Sequence, residues 1–185
     1  KDNPLKRYRG DVYFDMKNLD HLFSTIKKEG WSVEYITDAI SAYIESLPER
    51  DAFIAKKATR QFAKGDVRTD KIALEKEKMV RLQAAVEQFP VYTALMHAAG
   101  RYDFDDMINW VIGAFDTYPN LLADYRERFQ YILVDEYQDT SGSQNELLKF
   151  ILNYWEAPNV FVVGDDDQSI FKFQGANMKN ILDFA

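Results

Sequence analysis

Acidic and amide side chains follow two short apolar runs in the last third of the sequence. In YILVDEYQDT, Asp135 and Glu136 come directly after one apolar run, and in NVFVVGDDDQ, Asp165 and then Gln168 follow a second one. Mg²⁺ prefers oxygen ligands and is usually held by one or two carboxylates together with substrate phosphates. A second carboxylate beside it can orient or deprotonate the water that attacks a γ-phosphate. The pattern therefore predicts a site for a metal-bound triphosphate, although the first motif alone is equally typical of acids that only solvate the end of a strand.

The elements around these residues are those of a β-α-β unit. Each apolar run has the length of a strand, and the segment ELLKFILNYW between them is predicted to be a helix. Two strands joined in this way are parallel, and we expect both of their faces to be covered. Ligands bind at the carboxyl ends of the strands in such folds. A further helix, FDDMINWVIGAF, is predicted after Asp103, with Asp106 completing a capping box.

Residues 1–100 are predicted to be almost entirely helical. Apolar side chains recur there at helical spacing, as in Leu19, Leu22 and Ile26. The predicted helices are one that stops at Gly30 and three over 33–47, 48–63 and 70–89, with Pro90 breaking or kinking the last. The chain thus divides into a helical part (1–100) and an α/β part (101–185).

Bulk composition excludes several kinds of site. The chain has 185 residues and no cysteine, and 46% of its residues are hydrophobic and 15% aromatic. These values are typical of a folded protein, and they exclude disulfides, thiolate zinc sites and cysteine nucleophiles. No apolar stretch is long enough to span a membrane and the amino terminus does not resemble a signal peptide, so we expect a cytoplasmic protein without a membrane partner. The net charge of −7 counts against a broad nucleic-acid-binding surface, but not against a local basic or aromatic groove.

Three segments together resemble motifs of the UvrD/Rep-type superfamily 1 DNA helicases. They are YDFDDMI at 102–108, VDEYQDT at 134–140 and VVGDDDQSIFKFQGA at 162–176, in the order and at the spacing of that family. The resemblance implies an ATP-dependent DNA helicase or translocase, with ATP and Mg²⁺ as cofactors and single-stranded DNA and duplex junctions as partners. It also implies 3′→5′ movement, while DNA repair, replication restart and plasmid copying all stay open as pathways.

The resemblance also implies roles for individual residues. Asp135 would coordinate the magnesium of MgATP, and Glu136 would be the catalytic base for hydrolysis. Gln138 and Asp139 would support the geometry around them. Gln168 would contact the γ-phosphate and report its presence to the DNA site.

In the family, a segment just beyond that last glutamine touches single-stranded DNA. In this sequence it consists of Phe171, Lys172, Phe173 and Gln174. Aromatic rings give sequence-independent stacking worth roughly 1–3 kcal/mol per base, and Lys172 could meet a phosphate; alternatively, both phenylalanines belong to the core. The family often has Trp where Phe173 stands and Arg where Gln174 stands, so we expect weaker single-strand affinity at this loop. Asp165 is interpreted as the cap of the loop that positions Gln168.

One motif of the family is missing from these 185 residues. A P-loop has the pattern G-x-x-x-x-G-K-[ST], and none of the eight glycines is followed by lysine. The predicted fold class is therefore α/β: a mostly helical N-terminal subdomain, then a partial P-loop NTPase (RecA-like) parallel sheet that lacks the Walker A strand. Residues 1–100 would be the helical accessory subdomain, and residues 101–185 the C-terminal half of the first RecA-like motor domain.

This organisation predicts how the chain behaves by itself. It would be an internal fragment of a helicase without ATPase activity of its own. A strand edge beside Gly164 would be exposed, which favours self-association. The alternative function is a non-catalytic DNA- or protein-binding module derived from a helicase.

Overall fold

The chain divides into two compact units. The computed structural model describes residues 12–58 and 61–165. The first unit comprises the residues up to Phe23 together with Trp31–Ala99, and the second comprises Ser24–Gly30 and the residues from Gly100 onward. The first helix, α1 (Val12–Glu29), contributes residues to both. No described helix is long and apolar enough to cross a membrane.

The first unit is built from helices. They are α2 (Val33–Ser46), α3 (Thr69–Val86) and α4 (Phe89–Ala98), with single 3₁₀ turns at Leu47–Glu49 and Asp51–Phe53. Ser32 caps α2 by accepting the backbone N–H of Tyr35 at 3.1 Å. Pro90 lies in the first turn of α4, where a helix needs no N–H donor, and the predicted interruption of the helix near Pro90 is confirmed. The buried apolar core of this unit includes Phe23, Ile40, Leu47, Ile72 and Val86.

The predicted helix over 48–63 is wrong. After two 3₁₀ turns the chain becomes extended, and Ile54 forms an antiparallel bridge with Val67. Backbone hydrogen bonds in this stretch run to distant residues rather than along a helix: Ala55 N–H donates to the Asp66 carbonyl at 2.8 Å, and Arg68 N–H donates to the Phe53 carbonyl at 2.7 Å. The extended pairing instead leaves Ala55 only 4% exposed.

The second unit contains the α/β part of the chain. Its elements are α5 (Phe104–Thr117), α6 (Pro119–Arg128), β1 (Ile132–Val134), a 3₁₀ turn (Tyr137–Asp139), α7 (Gly142–Leu152) and β2 (Val160–Val162). The two strands pair in parallel, with Ile132 opposite Val160 and Val134 opposite Val162. The predicted β-α-β unit is therefore confirmed.

Capping boxes fix the starts of α5 and α7. Asp103 accepts the backbone N–H of Asp106 at 2.9 Å, and the Asp106 carboxylate accepts the N–H of Asp103 at 3.0 Å, as predicted. Ser141 and Gln144 form the same reciprocal pair at the start of α7. The second box begins α7 directly after the acidic turn that follows β1.

Only one face of the described sheet is covered. Ile132 and Val134 line the same cavity as Leu148 of α7, which places α7 on their side of the sheet. On the opposite face Leu133 is 76% exposed and Phe161 is 64% exposed. The prediction that both faces are covered is therefore wrong for the described residues, because none of their helices forms a second layer over Leu133 and Phe161.

A buried lysine ties the last turn of α1 to the start of α5. Lys27 Nζ lies 2.8 Å from Asp103 Oδ2 and 2.7 Å from Asp106 Oδ2. Burial lowers the pKa of Lys27, but hydrogen bonds and charge from the two carboxylates outweigh it and raise that pKa above its ordinary value. Burial likewise raises the pKa of Asp103, but the Lys27 ammonium and the Asp106 N–H outweigh it and lower that pKa. The Lys27 carbonyl accepts from Asn109 at 2.9 Å, so both the side chain and the backbone of Lys27 are held by this segment.

Candidate nucleotide site at the strand ends

Two exposed carboxylates follow the end of β1. Asp135 Oδ1 accepts the backbone N–H of Glu136 at 2.9 Å. Glu136 has φ 50° and ψ 44°, a left-handed conformation that costs a non-glycine residue roughly 1–2 kcal/mol. Strain of this kind clusters at functional sites, where the surrounding structure holds it. The turn leaves both carboxylates exposed, while the next two side chains, Tyr137 and Gln138, are buried.

Gln138 joins the ends of the two strands. Its side chain is 2% exposed; Nε2 donates to Glu136 Oε2, and Oε1 accepts the backbone N–H of Asp165 at 3.0 Å. Only this orientation of the amide satisfies both partners, because a carboxylate can only accept and a backbone N–H can only donate. Gly164 makes the approach possible, since a Cβ there would lie 2.8 Å from Gln138 Oε1. The Glu136 carboxylate is thus held by a side chain anchored beyond the end of β2.

Tyr137 fixes the same turn to β2 and α7. Its hydroxyl donates to Asn145 Oδ1 at 2.8 Å in a buried hydrogen bond. Its backbone N–H donates to the carbonyl of Val163 at 2.9 Å, and its carbonyl accepts from the Thr140 hydroxyl at 2.6 Å. These three bonds hold the backbone directly after Glu136 and so limit the positions that its carboxylate can take.

A cavity of about 490 Å³ opens beside the carboxylates. Asp135, Glu136 and Asp139 line it, together with apolar residues that include Val134 and Leu148. The volume lies within the range of small-molecule sites, which combine apolar walls with a few placed polar groups. An acidic rim on an apolar pocket suits a ligand that brings a cation with it.

The donor set fits Mg²⁺ that arrives with a phosphate. Among residues 12–58 and 61–165, no group of three or more His, Cys, Asp or Glu side chains is placed to hold a metal ion. Mg²⁺ is commonly bound by one or two carboxylates, with water and substrate phosphates completing its octahedral shell. Asp135 can supply such a carboxylate, and it is exposed. One exposed carboxylate at a strand end is compatible with a metal ion that a nucleotide brings with it.

The structure brings several of the predicted site residues together. Asp135, Glu136 and Gln138 lie in one turn, and Asp139 lines the same cavity. Asp165 meets Gln138 through its backbone N–H, while its capping role stays a prediction. The remaining predicted site residues, Gln168, Phe171, Lys172, Phe173 and Gln174, lie outside the described residues.

Two features of the site were not predicted from the sequence. One is the buried hydrogen bond between Tyr137 and Asn145, for which the local pattern gives no signal. The other is the close approach of Gly164 to Gln138. A glycine directly after an apolar strand was the available signal for the second, since glycine often marks a close backbone approach.

Comparison with known proteins identifies the family. Residues 7–185 match the model of the UvrD/REP helicase N-terminal domain. A protein named ATP-dependent DNA helicase PcrA from Leuconostoc citreum is 40% identical over 102 residues, which are 55% of this chain and 13% of the relative. PcrA from Staphylococcus epidermidis is 37% identical over 121 residues, 65% of this chain and 16% of the relative. PcrA from Staphylococcus aureus is 48% identical over 82 residues, 44% of this chain and 11% of the relative.

The matched segment is thus a small part of each curated relative. The match to the family model, in contrast, covers nearly the whole chain and includes both strand-end motifs. The resemblance to UvrD/Rep-type helicases is confirmed: the chain belongs to the UvrD/REP helicase family, to whose N-terminal domain its sequence corresponds.

Proposed function

We propose that the chain is part of the ATP-driven motor of a DNA helicase or translocase that moves 3′→5′ on single-stranded DNA. The observation that carries the proposal is the Gln138 bridge, which holds Glu136 in one orientation beside a cavity of suitable size. The family of the chain and the printed names of its relatives support it. Residues 1–100 would form the helical accessory subdomain, and residues 101–185 the C-terminal half of the first RecA-like motor domain.

The two carboxylates would divide the chemistry between them. Asp135 would hold the magnesium of MgATP, and the metal would neutralise charge on the phosphates. Glu136 orients a water molecule and accepts its proton as the water oxygen bonds to the γ-phosphorus. ADP leaves with the electrons of the broken P–O bond. The hydrogen bond from Gln138 to one Glu136 oxygen leaves the other oxygen available for that water.

The nucleotide site would be coupled to DNA through the segment that follows it. Gln168 contacts the γ-phosphate, and the segment Phe171–Gln174 contacts the DNA strand. The aromatic rings stack on bases without regard to sequence. ATP binding would then pull this segment, and the strand with it, in one direction.

By itself, the 185-residue chain is proposed to hydrolyse no ATP. It contains no G-x-x-x-x-G-K-[ST] pattern, which in the family supplies the phosphate cradle. The exposed Leu133 and Phe161 also support self-association through the open sheet. Sedimentation at micromolar concentration is expected to give a dimer or larger species, and a strict monomer would contradict this part of the proposal. The second candidate function is a non-catalytic DNA- or protein-binding module derived from a helicase.

The test uses the complete polypeptide, by which we mean the product of the reading frame that encodes this chain. A P-loop pattern is expected upstream of Lys1. Glu136→Gln is expected to keep ATP binding and to lower turnover roughly 10²- to 10⁴-fold, the range for one general acid–base group. Strand separation should fall in parallel.

Glu127→Gln removes an exposed carboxylate on α6 and serves as the matched control, with unchanged turnover expected. Wild-type turnover in Glu136→Gln would contradict the catalytic assignment. A complete polypeptide that binds DNA without any magnesium-dependent ATP hydrolysis would instead support the non-catalytic module.

A further inference from the structure

A strongly basic segment interrupts the acidic chain in the first unit. The sequence AKKATRQFAKGDVR, residues 55–68, carries five basic residues and one acidic residue, whereas the net charge of the whole chain is −7. We give the name basic loop to the described residues of this segment, 55–58 and 61–68. It lies where a helix was expected, and the nucleotide site described above uses none of its residues.

Backbone hydrogen bonds close the base of the basic loop. Ala55 N–H donates to the Asp66 carbonyl at 2.8 Å, and Gly65 N–H donates to the Ala55 carbonyl at 2.9 Å. Arg68 N–H donates to the Phe53 carbonyl at 2.7 Å. Ala55 is buried, so the stem is fixed to its unit. The loop is therefore presented from an ordered base rather than from a free linker.

Three lysines of the basic loop have no acidic partner within the described part of the chain. Lys56, Lys57 and Lys64 are exposed, and none of them forms an ion pair with any residue that the structure describes. Lys78 on α3 differs, because its ammonium lies 2.8 Å from Glu75. The three loop lysines thus present positive charge that no carboxylate among the described residues neutralises through an ion pair.

The carboxylates nearest in sequence are engaged elsewhere. Asp66 Oδ2 accepts the Ala63 N–H at 2.7 Å. Asp70 accepts from Arg68 at 2.9 and 2.7 Å, and this hydrogen bonding lowers the pKa of Asp70 to about 2. The Arg68 guanidinium also lies 5.0 Å from the centre of the Phe62 ring. Arg68 is therefore occupied, and only the three lysines are counted as contacts for a ligand.

We propose that the basic loop binds the phosphodiester backbone of a nucleic acid through Lys56, Lys57 and Lys64. Lysine ammonium groups are mobile point charges, which suit phosphate contacts that position a strand without reading its bases. An acidic surface elsewhere repels a polyanion, so a local basic site also limits where the strand can lie. This inference rests on the proposed function, because DNA is the substrate proposed there. It adds a contact that is distant in sequence from the segment Phe171–Gln174.

The experiment compares the salt dependence of binding for two forms of the 185-residue chain. The loop variant combines Lys56→Ala, Lys57→Ala and Lys64→Ala. Affinity for a fluorescent oligothymidylate and for a hairpin duplex is measured by anisotropy over a series of salt concentrations. The slope of log K against log salt changes by about 0.7 per phosphate contact on single strands and about 0.9 on duplex. The loop variant should therefore lose about 2 to 3 units of slope and bind about 100-fold more weakly at 0.1 M salt.

The control variant removes equal charge from the same unit. It combines Lys17→Ala, Lys71→Ala and Lys76→Ala, which lie on α1 and α3 and are exposed. The control variant should keep the wild-type slope. Whether the loop variant loses more affinity for the oligothymidylate or for the hairpin duplex will show whether the loop contacts single or double strands. Equal losses in both variants would mean that only net charge matters, and would overturn the proposal.

The remaining outcomes separate this inference from the proposed function. If the wild-type chain binds DNA and the loop variant binds equally well, the loop assignment is overturned while the proposed function stands. If the wild-type chain binds neither oligonucleotide, the loop assignment is overturned together with the DNA contact proposed for Phe171–Gln174. Equal displacement of DNA by polyglutamate of the same charge would indicate a general polyanion site and overturn the assignment to nucleic acid.

Discussion

Lys27 offers a direct test of how the second unit is held together. Its side chain is 3% exposed and bridges Asp103 and Asp106, whose side chains are 43% and 7% exposed. Lys27→Met keeps an unbranched chain of similar length and removes the ammonium group, with its charge and its hydrogen bonds to Asp103 and Asp106. The variant leaves the buried Asp106 carboxylate without its cation, while Asp103 remains open to water.

The loss of unfolding free energy expected in Lys27→Met follows from the different exposure of Asp103 and Asp106. Removing one partner of a buried ion pair typically costs about 3–5 kcal/mol, because the remaining charge stays buried. We expect the lower end, about 3 kcal/mol, since Asp106 still accepts the Asp103 N–H. An ion pair at the surface would contribute less than about 1 kcal/mol.

Urea unfolding followed by tryptophan fluorescence measures this cost. In a Trp31→Phe background, the remaining tryptophans are Trp110 and Trp155, both in the second unit. Lys17→Met, an exposed position on the same helix, is the control and should change stability little. If Lys27→Met costs no more than Lys17→Met, the bridge contributes little and the reasoning is wrong.

A double variant separates the loss of attraction between Lys27 and Asp106 from the cost of leaving the Asp106 charge buried without a cation. Asp106→Asn keeps an oxygen that can accept the Asp103 N–H but removes the buried charge. Lys27→Met with Asp106→Asn should therefore be more stable than Lys27→Met alone. Additive costs of the two substitutions would show that the side chains are not coupled.

Two further predictions concern pH and the approach of the two strand ends. The pKa of Asp103 is lowered in the folded state, so the contribution of ionised Asp103 to folding stability is present above the ordinary carboxyl pKa of about 4 and is lost as pH falls through the lowered value. The difference in unfolding free energy between wild type and Lys27→Met should therefore become smaller as the pH is lowered. A difference that stays constant down to the lowest pH would contradict this prediction. Gly164→Ala places a Cβ 2.8 Å from Gln138 Oε1 and should destabilise by about 1–3 kcal/mol in thermal or urea unfolding. A Cβ at Gly113 in α5 would have nothing within 4 Å, so Gly113→Ala should instead stabilise the protein by about 0.5–1 kcal/mol. Stability changes of the same sign for both substitutions would show that the close approach at Gly164 does not matter.

The parts of the fold that were predicted correctly depend on local signals. The apolar runs before Asp135 and Asp165 have strand length, and the segment between them has helical character, which is sufficient for a parallel β-α-β unit. The capping box of Asp103 and Asp106 is likewise readable over four residues. Such features need no knowledge of distant parts of the chain.

The parts that were not predicted depend on distant partners. The helix expected over 48–63 does not form: two 3₁₀ turns lie at Leu47–Glu49 and Asp51–Phe53, and Ile54 then pairs with Val67. Gln138 meets a backbone N–H 27 positions away, and Lys27 meets carboxylates 76 and 79 positions away. Periodicity within a short window carries no information about these pairings. The left-handed conformation of Glu136 follows from the same long-range constraints.

The Mg²⁺ dependence of ATP binding to the complete polypeptide shows whether the end of β1 is a nucleotide site. Asp135, at that strand end, is proposed to hold the metal of a bound triphosphate. Asp135→Asn should then require a higher Mg²⁺ concentration for half-maximal ATP binding than wild type, while Asp124→Asn, an exposed position on α6, should match wild type. An Asp135→Asn protein with the same Mg²⁺ requirement as Asp124→Asn would contradict the assignment of the strand end as a nucleotide site.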